Sequence, residues 1–287
     1  MTTTQTNQQI TPQLRQWIVE QAQGGHSAEA VLQSMLASGW NEDTAIEAME
    51  TTLRGHLEQK TVDQGLPAAV PVPDAKIEES PLYLDAGDRR VSVLQVMHSP
   101  RVIVFGDLLS SEECDALIAL AGPRLARSLT VQAKTGGDEV NADRTSDGMF
   151  FQRGENELVT LIEKRLAYLL DWPIENGEGL QVLHYTPGTE YKPHYDYFDP
   201  VEPGTPTILK RGGQRVATII MYLHEPEKGG GTVFPDIRLE VAPKRGNAVF
   251  FSYERAHSST KTLHGGAPVL AGEKWIATKW LREGLFE

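Results

Sequence analysis

The 287-residue sequence contains a single cysteine, Cys114. One thiol excludes both a disulfide within the chain and a metal cluster built from several thiolates. Any metal ion that one chain binds must therefore be held by histidine and carboxylate side chains.

Long hydrophobic runs are absent as well. No stretch of about 18 consecutive apolar residues occurs, the length that indicates a transmembrane helix. The first residues, MTTTQTNQQITPQLRQW, contain no apolar core of a secretory signal peptide. We therefore expect a soluble, cytoplasmic protein without a membrane partner.

Basic residues are scarce relative to acidic ones. The chain has 27 Lys and Arg residues against 39 Asp and Glu residues, which gives a formal net charge of −12. Because nucleic acids are bound through lysine and arginine contacts to phosphates, this charge argues against a nucleic-acid partner. A hydrophobic content of 40% is ordinary for a globular protein with a buried core.

Three short blocks near the N-terminus carry apolar residues at helical spacing. Ser27 and Asn41 precede the second and third blocks as plausible N-caps. We predict a small three-helix domain over residues 1–60. The stretch SGWNEDTAIEAME, from Ser38 to Glu50, resembles the loop and third helix of ubiquitin-associated-like bundles. The resemblance implies a module that binds a protein partner, and a plain helical extension is the alternative.

Proline recurs without any periodic pattern in GLPAAVPVPDAKIEESP, from Gly65 to Pro81. Such a composition is typical of an extended linker, which we predict over residues 61–82. The remaining residues, 83–287, then form the second domain.

From Leu180 onward the sequence has eight short β-rich runs separated by Gly and Pro, and helical patterns precede them at residues 111–121 and 155–170. Runs of this length with turn residues between them indicate an antiparallel barrel or sandwich, such as a jelly roll. We therefore predict a mainly β fold with flanking helices on its outside.

The stretch HYTPGTEYKPHYDYFDP contains His194 and Asp196 two residues apart. In a strand these side chains point to the same face. Two histidines and one carboxylate on one face form the facial triad of non-haem Fe(II) oxygenases. The third ligand must come from a distant strand, and we predict His264, because the two glycines after it let the backbone crowd a site.

A His-x-Asp pair alone is weak evidence, but it belongs to a wider pattern. The pattern comprises Tyr185, Pro187, Gly188, Tyr191, His194 and Asp196, the runs from Gly230 to Pro235 and from His264 to Trp275, Pro243, Gly246, Ala248 and Phe251, and RTSDGMFF from Arg144 to Phe151. On these residues the sequence closely resembles the prolyl 4-hydroxylase family of Fe(II)- and 2-oxoglutarate-dependent dioxygenases. The resemblance extends from about Arg101 to Glu287.

The resemblance implies a double-stranded β-helix, or jelly-roll, catalytic domain. It further implies Fe(II), 2-oxoglutarate and O2 as reactants, with ascorbate as reductant. The implied reaction is hydroxylation of peptidyl proline at C4, with release of succinate and CO2. The partner of such an enzyme is a proline-containing protein or peptide.

The resemblance also assigns residues to the cosubstrate and to the substrate. Lys274, ten positions after His264, matches the lysine that binds the far carboxylate of 2-oxoglutarate, and a cation buried among apolar neighbours needs such an anionic partner. Tyr185 and Thr232 match positions that hydrogen-bond the cosubstrate, and Tyr222 is a weaker candidate. The positions implied to line the substrate groove are Arg215, Tyr191 and Trp280.

Two alternatives remain at this stage. The same cosubstrate chemistry would serve another amino-acid side chain or a small molecule, since the motifs define the substrate least. A non-catalytic interaction scaffold is the other alternative, although all four residues that catalysis requires are present. We also expect the loops 197–213 and 134–146 to be mobile and to serve as a lid or substrate clamp over the site, and tolerated surface insertions are the alternative.

Overall fold

The computed structural model describes residues 8–63, 65–127, 129–131, 138–140 and 145–287. The chain divides into two compact units, Met1–Ala68 and Ala69–Glu287. Within the described residues, no helix combines the length and the apolar character that crossing a membrane requires.

The first unit contains three helices: α1 Pro12–Gln23, α2 Ala28–Ala37 and α3 Glu42–Asp63. Thr11 and Ser27 cap α1 and α2, because each side chain accepts a hydrogen bond from a backbone amide in the first turn. Apolar side chains from all three helices form the core of this unit: Ile18, Val31, Met35, Ala45, Ala48 and Met49. The three predicted helices are therefore present.

The linker in the structure is shorter than the predicted range, residues 61–82. Gly55 does not end the third helix, and α3 continues to Asp63, two residues before Gly65. On the other side, Ala75 and Ile77 are buried in the core of the second unit. Asp74 there forms an ion pair with Arg101, with 2.6 Å between carboxylate and guanidinium. The extended segment around Asp74 to Ile77 is thus part of the second unit.

The second unit is built from antiparallel strands and two long helices, α4 Ser111–Ala121 and α5 Glu157–Leu170, with a short α6 Thr205–Ile208. The strands are β1 Tyr83–Asp85, β2 Arg90–His98, β3 Arg101–Gly106, β4 Ala126–Arg127, β5 Leu129–Val131, β6 Asp138–Val140, β7 Asp147–Phe151, β8 Leu180–Tyr185, β9 Tyr191–His194, β10 Arg215–His224, β11 Lys228–Gly229, β12 Thr232–Phe234, β13 Leu239–Val241, β14 Ala248–Ser252, β15 His264–Gly266, β16 Val269–Ala271 and β17 Lys274–Arg282. A nine-stranded major sheet has the order β1-β2-β3-β14-β10-β17-β8-β7-β4. A four-stranded minor sheet has the order β13-β12-β15-β9.

Alternation along the strands of the major sheet produces two cores on its opposite faces. On β10, for example, Ile219 and Met221 pack with side chains of α4 and α5. Their neighbours Ile220 and Tyr222 pack on the other face with Phe234 of the minor sheet. The unit is therefore a two-sheet jelly roll with helices on its outer face, as predicted from the sequence and from the family resemblance.

Candidate active site

The predicted metal ligands converge at the facing ends of two paired strands. His194 ends β9, His264 begins β15, and the two residues are direct partners in the antiparallel pairing. Asp196 follows β9 by two residues, and His194 Nε2 lies 3.4 Å from Asp196 Oδ1. His264 Nε2 lies 3.4 Å from Asp196 Oδ2. One ligand atom from each residue thus falls within 4.8 Å of those of the other two.

Backbone carbonyls fix the tautomer of both histidines. His194 Nδ1 donates to the carbonyl of Lys192 at 2.9 Å, and His264 Nδ1 donates to that of Thr262 at 3.0 Å. Because a carbonyl only accepts, Nδ1 carries the proton in each ring, and Nε2 keeps its lone pair toward Asp196. This is the form in which an imidazole binds a metal.

The charge states of the ligands also suit a divalent metal. Burial lowers the pKa of His194, and the nearby His264 lowers it further against the opposing influence of Asp196. Burial alone would raise the pKa of Asp196, but the two imidazoles hold it well below its ordinary value. The site therefore offers one ionised carboxylate and two imidazoles whose Nε2 atoms face it, a donor set that fits Fe(II).

Lys274 lies in the same cavity as the three ligands. It begins β17, is 2% exposed, and its Nζ donates to the carbonyl of Gly230 at 2.9 Å. No carboxylate of the described residues forms an ion pair with it, and burial lowers its pKa to about 8. An ammonium buried without an anion is costly, so this arrangement fits an anionic ligand such as a dicarboxylate.

The predicted cosubstrate hydroxyls lie around Lys274. Tyr185 and Thr232 line the cavity, and Thr232 Oγ1 shares a 2.7 Å hydrogen bond with the buried Tyr222 hydroxyl. Tyr222 is therefore adjacent to the cavity wall through Thr232. Gly265 permits a close backbone approach beside His264, since a Cβ there would lie 2.8 Å from the Tyr191 carbonyl oxygen. The glycine directly after His264 thus has the role that the sequence suggested.

The predicted substrate contacts occupy the metal end of the cavity. The Tyr191 ring stacks on His194 with 3.7 Å between ring centres. Trp280 lines the cavity, and the Arg215 guanidinium lies 4.1 Å from the centre of its ring. Arg215 also forms a 2.6 Å ion pair with Glu178, which neutralises its charge at the cavity wall.

Two polar residues beside the site belong to none of the sequence motifs described above. Thr218 donates a 2.7 Å hydrogen bond to Asp196, and Glu178 pairs with both Arg215 and Arg282. A signal existed for Thr218 alone, because it is the threonine in the otherwise largely apolar run VATIIMYL.

The structure describes all of loop 197–213 but only part of loop 134–146. The Gln214 side chain fixes the start of loop 197–213, because it accepts a hydrogen bond from the Phe198 amide and donates one to the Phe198 carbonyl. Arg282 holds its far end through the carbonyl of Ile208 at 3.1 Å. Most of loop 134–146 lies outside the described residues. Closure over the site remains a prediction for both.

A jelly roll with a His, Asp and His triad and a buried lysine in one cavity defines an Fe(II)- and 2-oxoglutarate-dependent oxygenase. The family model that describes the 2OG-Fe(II) oxygenase superfamily matches residues 180–282. This range contains all three metal ligands and Lys274.

Similar proteins narrow this class. Prolyl 4-hydroxylase 5 of Arabidopsis thaliana is 44% identical over 216 residues, which cover 68% of this chain and 72% of the plant protein. Prolyl 4-hydroxylase 1 of the same plant is 45% identical over 205 residues, 66% of this chain and 71% of its own. The viral collagen prolyl hydroxylase of Paramecium Bursaria Chlorella virus-1, solved with 2-oxoglutarate, is 32% identical with a TM-score of 0.50. That likeness covers 63% of this chain and 95% of the viral one. The chain belongs to the prolyl 4-hydroxylase family.

Proposed function

We propose that the protein hydroxylates C4 of prolyl residues in a peptide or protein, with 2-oxoglutarate as cosubstrate and release of succinate and CO2. The observation that carries the proposal is the shared cavity of the metal triad and Lys274. A metal site beside an isolated buried cation suits a ligand that chelates at one end and carries an anion at the other. The names of the plant and viral relatives support proline as the target.

His194, Asp196 and His264 would hold Fe(II), which when bound supplies the oxidative chemistry that couples decarboxylation of 2-oxoglutarate to hydroxylation. The Lys274 ammonium binds the far carboxylate, and the Tyr185 ring shields that ammonium from water. Thr232 adds a hydroxyl at the cavity wall. These residues orient the cosubstrate by charge and shape, so its reactive end points toward the triad.

Tyr191 and Trp280 form the aromatic walls of the metal end, where a prolyl ring would pack. Ring packing suits an apolar target, and the Arg215 guanidinium packs on the Trp280 ring and restricts its movement. Ascorbate is proposed as the reductant that restores Fe(II) after turnover without substrate. For the three-helix unit we propose binding of a protein partner, on the basis of its similarity to ubiquitin-associated-like bundles over Ser38 to Glu50.

The experiment is succinate formation by the Fe(II)-loaded protein from 2-oxoglutarate, with and without proline-rich peptides. A peptide in which alanine replaces every proline is the substrate control, and His194→Ala is the enzyme control. We expect succinate that depends on the proline peptide and is lost in His194→Ala. Mass spectrometry should place one oxygen atom on proline, and amino-acid analysis should identify 4-hydroxyproline.

Other outcomes would redirect the proposal. Equal succinate with both peptides would contradict proline as the target and leave the oxygenase class intact. No succinate from a protein that demonstrably binds Fe(II) and 2-oxoglutarate would contradict an oxygenase acting on these peptides.

A further inference from the structure

The two oxygens of the Asp196 carboxylate have different surroundings. Oδ2 accepts a 2.7 Å hydrogen bond from the Thr218 hydroxyl and lies 3.4 Å from His264 Nε2. Oδ1 lies 3.4 Å from His194 Nε2. Only Oδ2 is held by a hydroxyl among the described residues, so the carboxylate has a fixed orientation in its plane.

Thr218 is buried completely in the middle of β10. A hydroxyl buried there is unfavourable unless it is hydrogen-bonded. Because an ionised carboxylate can only accept, the Thr218 hydroxyl must donate to Asp196. Its oxygen is then left to accept from the Tyr253 hydroxyl, which lies 3.0 Å away.

Tyr253 is 1% exposed and directly follows β14. Its backbone amide donates to the carbonyl of Val216 at 2.9 Å, which ties it to the start of β10. The Phe251 and Tyr197 rings pack near its ring, each with 6.2 Å between centres. The phenol therefore has little freedom to move away from Thr218. The result is a chain of two hydrogen bonds, which we call the relay: the Tyr253 hydroxyl donates to Thr218 Oγ1, and the Thr218 hydroxyl donates to Asp196 Oδ2.

We propose that Thr218 and Tyr253 are positioning residues for the metal ligand Asp196. Their relay occupies one lone pair of Oδ2 and so favours Oδ1, which no hydroxyl of the described residues contacts, as the metal-binding oxygen. A carboxylate that binds through both oxygens fills one more coordination position than a carboxylate that binds through one. The relay thereby preserves a position that the cosubstrate or O2 requires. The inference rests on the proposed function only for the identity of the metal and of these reactants.

Metal binding tests the relay without catalysis. The full chain is freed of metal and titrated with Co(II), and both the Kd and the visible absorption of bound Co(II) are recorded. Thr218→Val removes the hydroxyl with little change in shape, Thr218→Ser retains it, and Tyr253→Phe removes only the outer donor. Thr160→Val is the matched control, because Thr160 on α5 donates to the Asn156 carbonyl away from the metal site.

Loss of groups that orient metal ligands typically weakens metal binding by about 10–100-fold, and we expect Thr218→Val to raise the Kd by about tenfold or more. Its Co(II) absorption should change, because a freed Oδ2 alters the coordination. Thr218→Ser should restore both, Tyr253→Phe should show a smaller change in the same direction, and Thr160→Val should match the parent protein.

An unchanged Kd and spectrum in Thr218→Val would overturn the proposal, and so would a similar loss in Thr160→Val. If Thr218→Val does not fold, Tyr253→Phe decides: a raised Kd in a folded protein supports the relay, and an unchanged one overturns it. Neither 2-oxoglutarate nor peptide is present in these titrations. Failure to hydroxylate proline therefore leaves the relay standing, and failure of the relay leaves the proposed reaction standing.

Discussion

Lys274 and Tyr185 are direct partners on the neighbouring strands β17 and β8, and the lysine Nζ lies 4.3 Å from the centre of the tyrosine ring. The ring face and the Gly230 carbonyl stabilise the ammonium in part, but neither carries a negative charge. The cation is therefore held in place before its anionic ligand arrives. Binding of the anion then costs little conformational entropy in the lysine side chain, which is how a preorganised site gains affinity.

Lys274→Met should weaken binding of 2-oxoglutarate without disturbing the metal. Loss of one partner of a buried charge pair costs about 2 kcal/mol or more, which corresponds to a rise in Kd of at least about 30-fold. Calorimetric titration with Mn(II) in place of Fe(II) measures this. The exposed Lys228 on β11 supplies the control, Lys228→Met. Equal affinities in Lys274→Met and the parent protein would assign the cosubstrate to another cation.

The lowered pKa of Lys274 predicts a pH dependence of the same equilibrium. With a pKa of about 8, the amine is mostly protonated at pH 7 and mostly neutral at pH 9. Because we propose that the dicarboxylate binds the ammonium, the Kd should rise by about tenfold from pH 7 to pH 9. Binding above pH 8 should also take up a proton, which titrations in buffers of different ionisation enthalpy detect.

Lys274→Arg separates this cause from other titrating groups. Arginine stays protonated through this range. The Kd of the Lys274→Arg variant for 2-oxoglutarate, whatever its value at pH 7, should therefore stay nearly constant to pH 9. A parent protein with the same Kd at both pH values would contradict the assignment of the dependence to Lys274.

Gly265→Ala should impair both the fold and the metal site. A Cβ at Gly265 would lie 2.8 Å from the Tyr191 carbonyl oxygen and 3.0 Å from the Pro193 nitrogen, both backbone atoms of β9. β15 must then move away from β9, which separates the paired histidines. We expect the free energy of unfolding to fall by about 1–3 kcal/mol, measured by urea denaturation, and Co(II) affinity to fall with it.

Gly122→Ala is the control for this change, because a Cβ there meets nothing within 4 Å and its φ is −47°. If Gly265→Ala bound Co(II) as the parent protein does, close strand approach would not be what pairs the histidines.

The ligand triad was predictable because its signals are local. A strand places His194 and Asp196 on one face, and two glycines mark the close approach beside His264. A threonine in the apolar run VATIIMYL could be noticed, but its role was not predictable, because its contact with Asp196 joins the major sheet to the end of a strand of the minor sheet. No periodicity or spacing in the sequence encodes how the two sheets pack.

Residues 69–82 illustrate a different limit. Proline-rich chain without periodicity is typical of a linker, yet burial of Ala75 and Ile77 places this stretch in the core of the second unit. Two apolar side chains in an extended segment give too weak a pattern to detect. The segment is held by distant elements: for example, the Asp74 amide donates to the Leu170 carbonyl at the end of α5.

Trp280 offers the most direct test of the substrate groove. Its side chain is almost fully buried, and its indole N–H has no hydrogen-bond partner among the described residues. A buried donor without a partner is unfavourable, and a peptide carbonyl entering the cavity would remove that cost. Trp280→Phe deletes the donor and keeps an aromatic ring against Arg215. We expect the KM for a proline-rich peptide to rise roughly fivefold, as loss of about 1 kcal/mol implies.

The Kd values for 2-oxoglutarate and Co(II) should stay unchanged in Trp280→Phe, because neither the triad nor Lys274 is altered. Trp275→Phe is the matched control: this indole stacks on His184, with 4.2 Å between ring centres, and does not line the cavity. A peptide KM that rises in Trp280→Phe alone would show that the indole N–H contacts the substrate. Equal KM values in both variants and the parent protein would instead mean that the peptide leaves this donor unpaired, and that the aromatic walls act by packing alone.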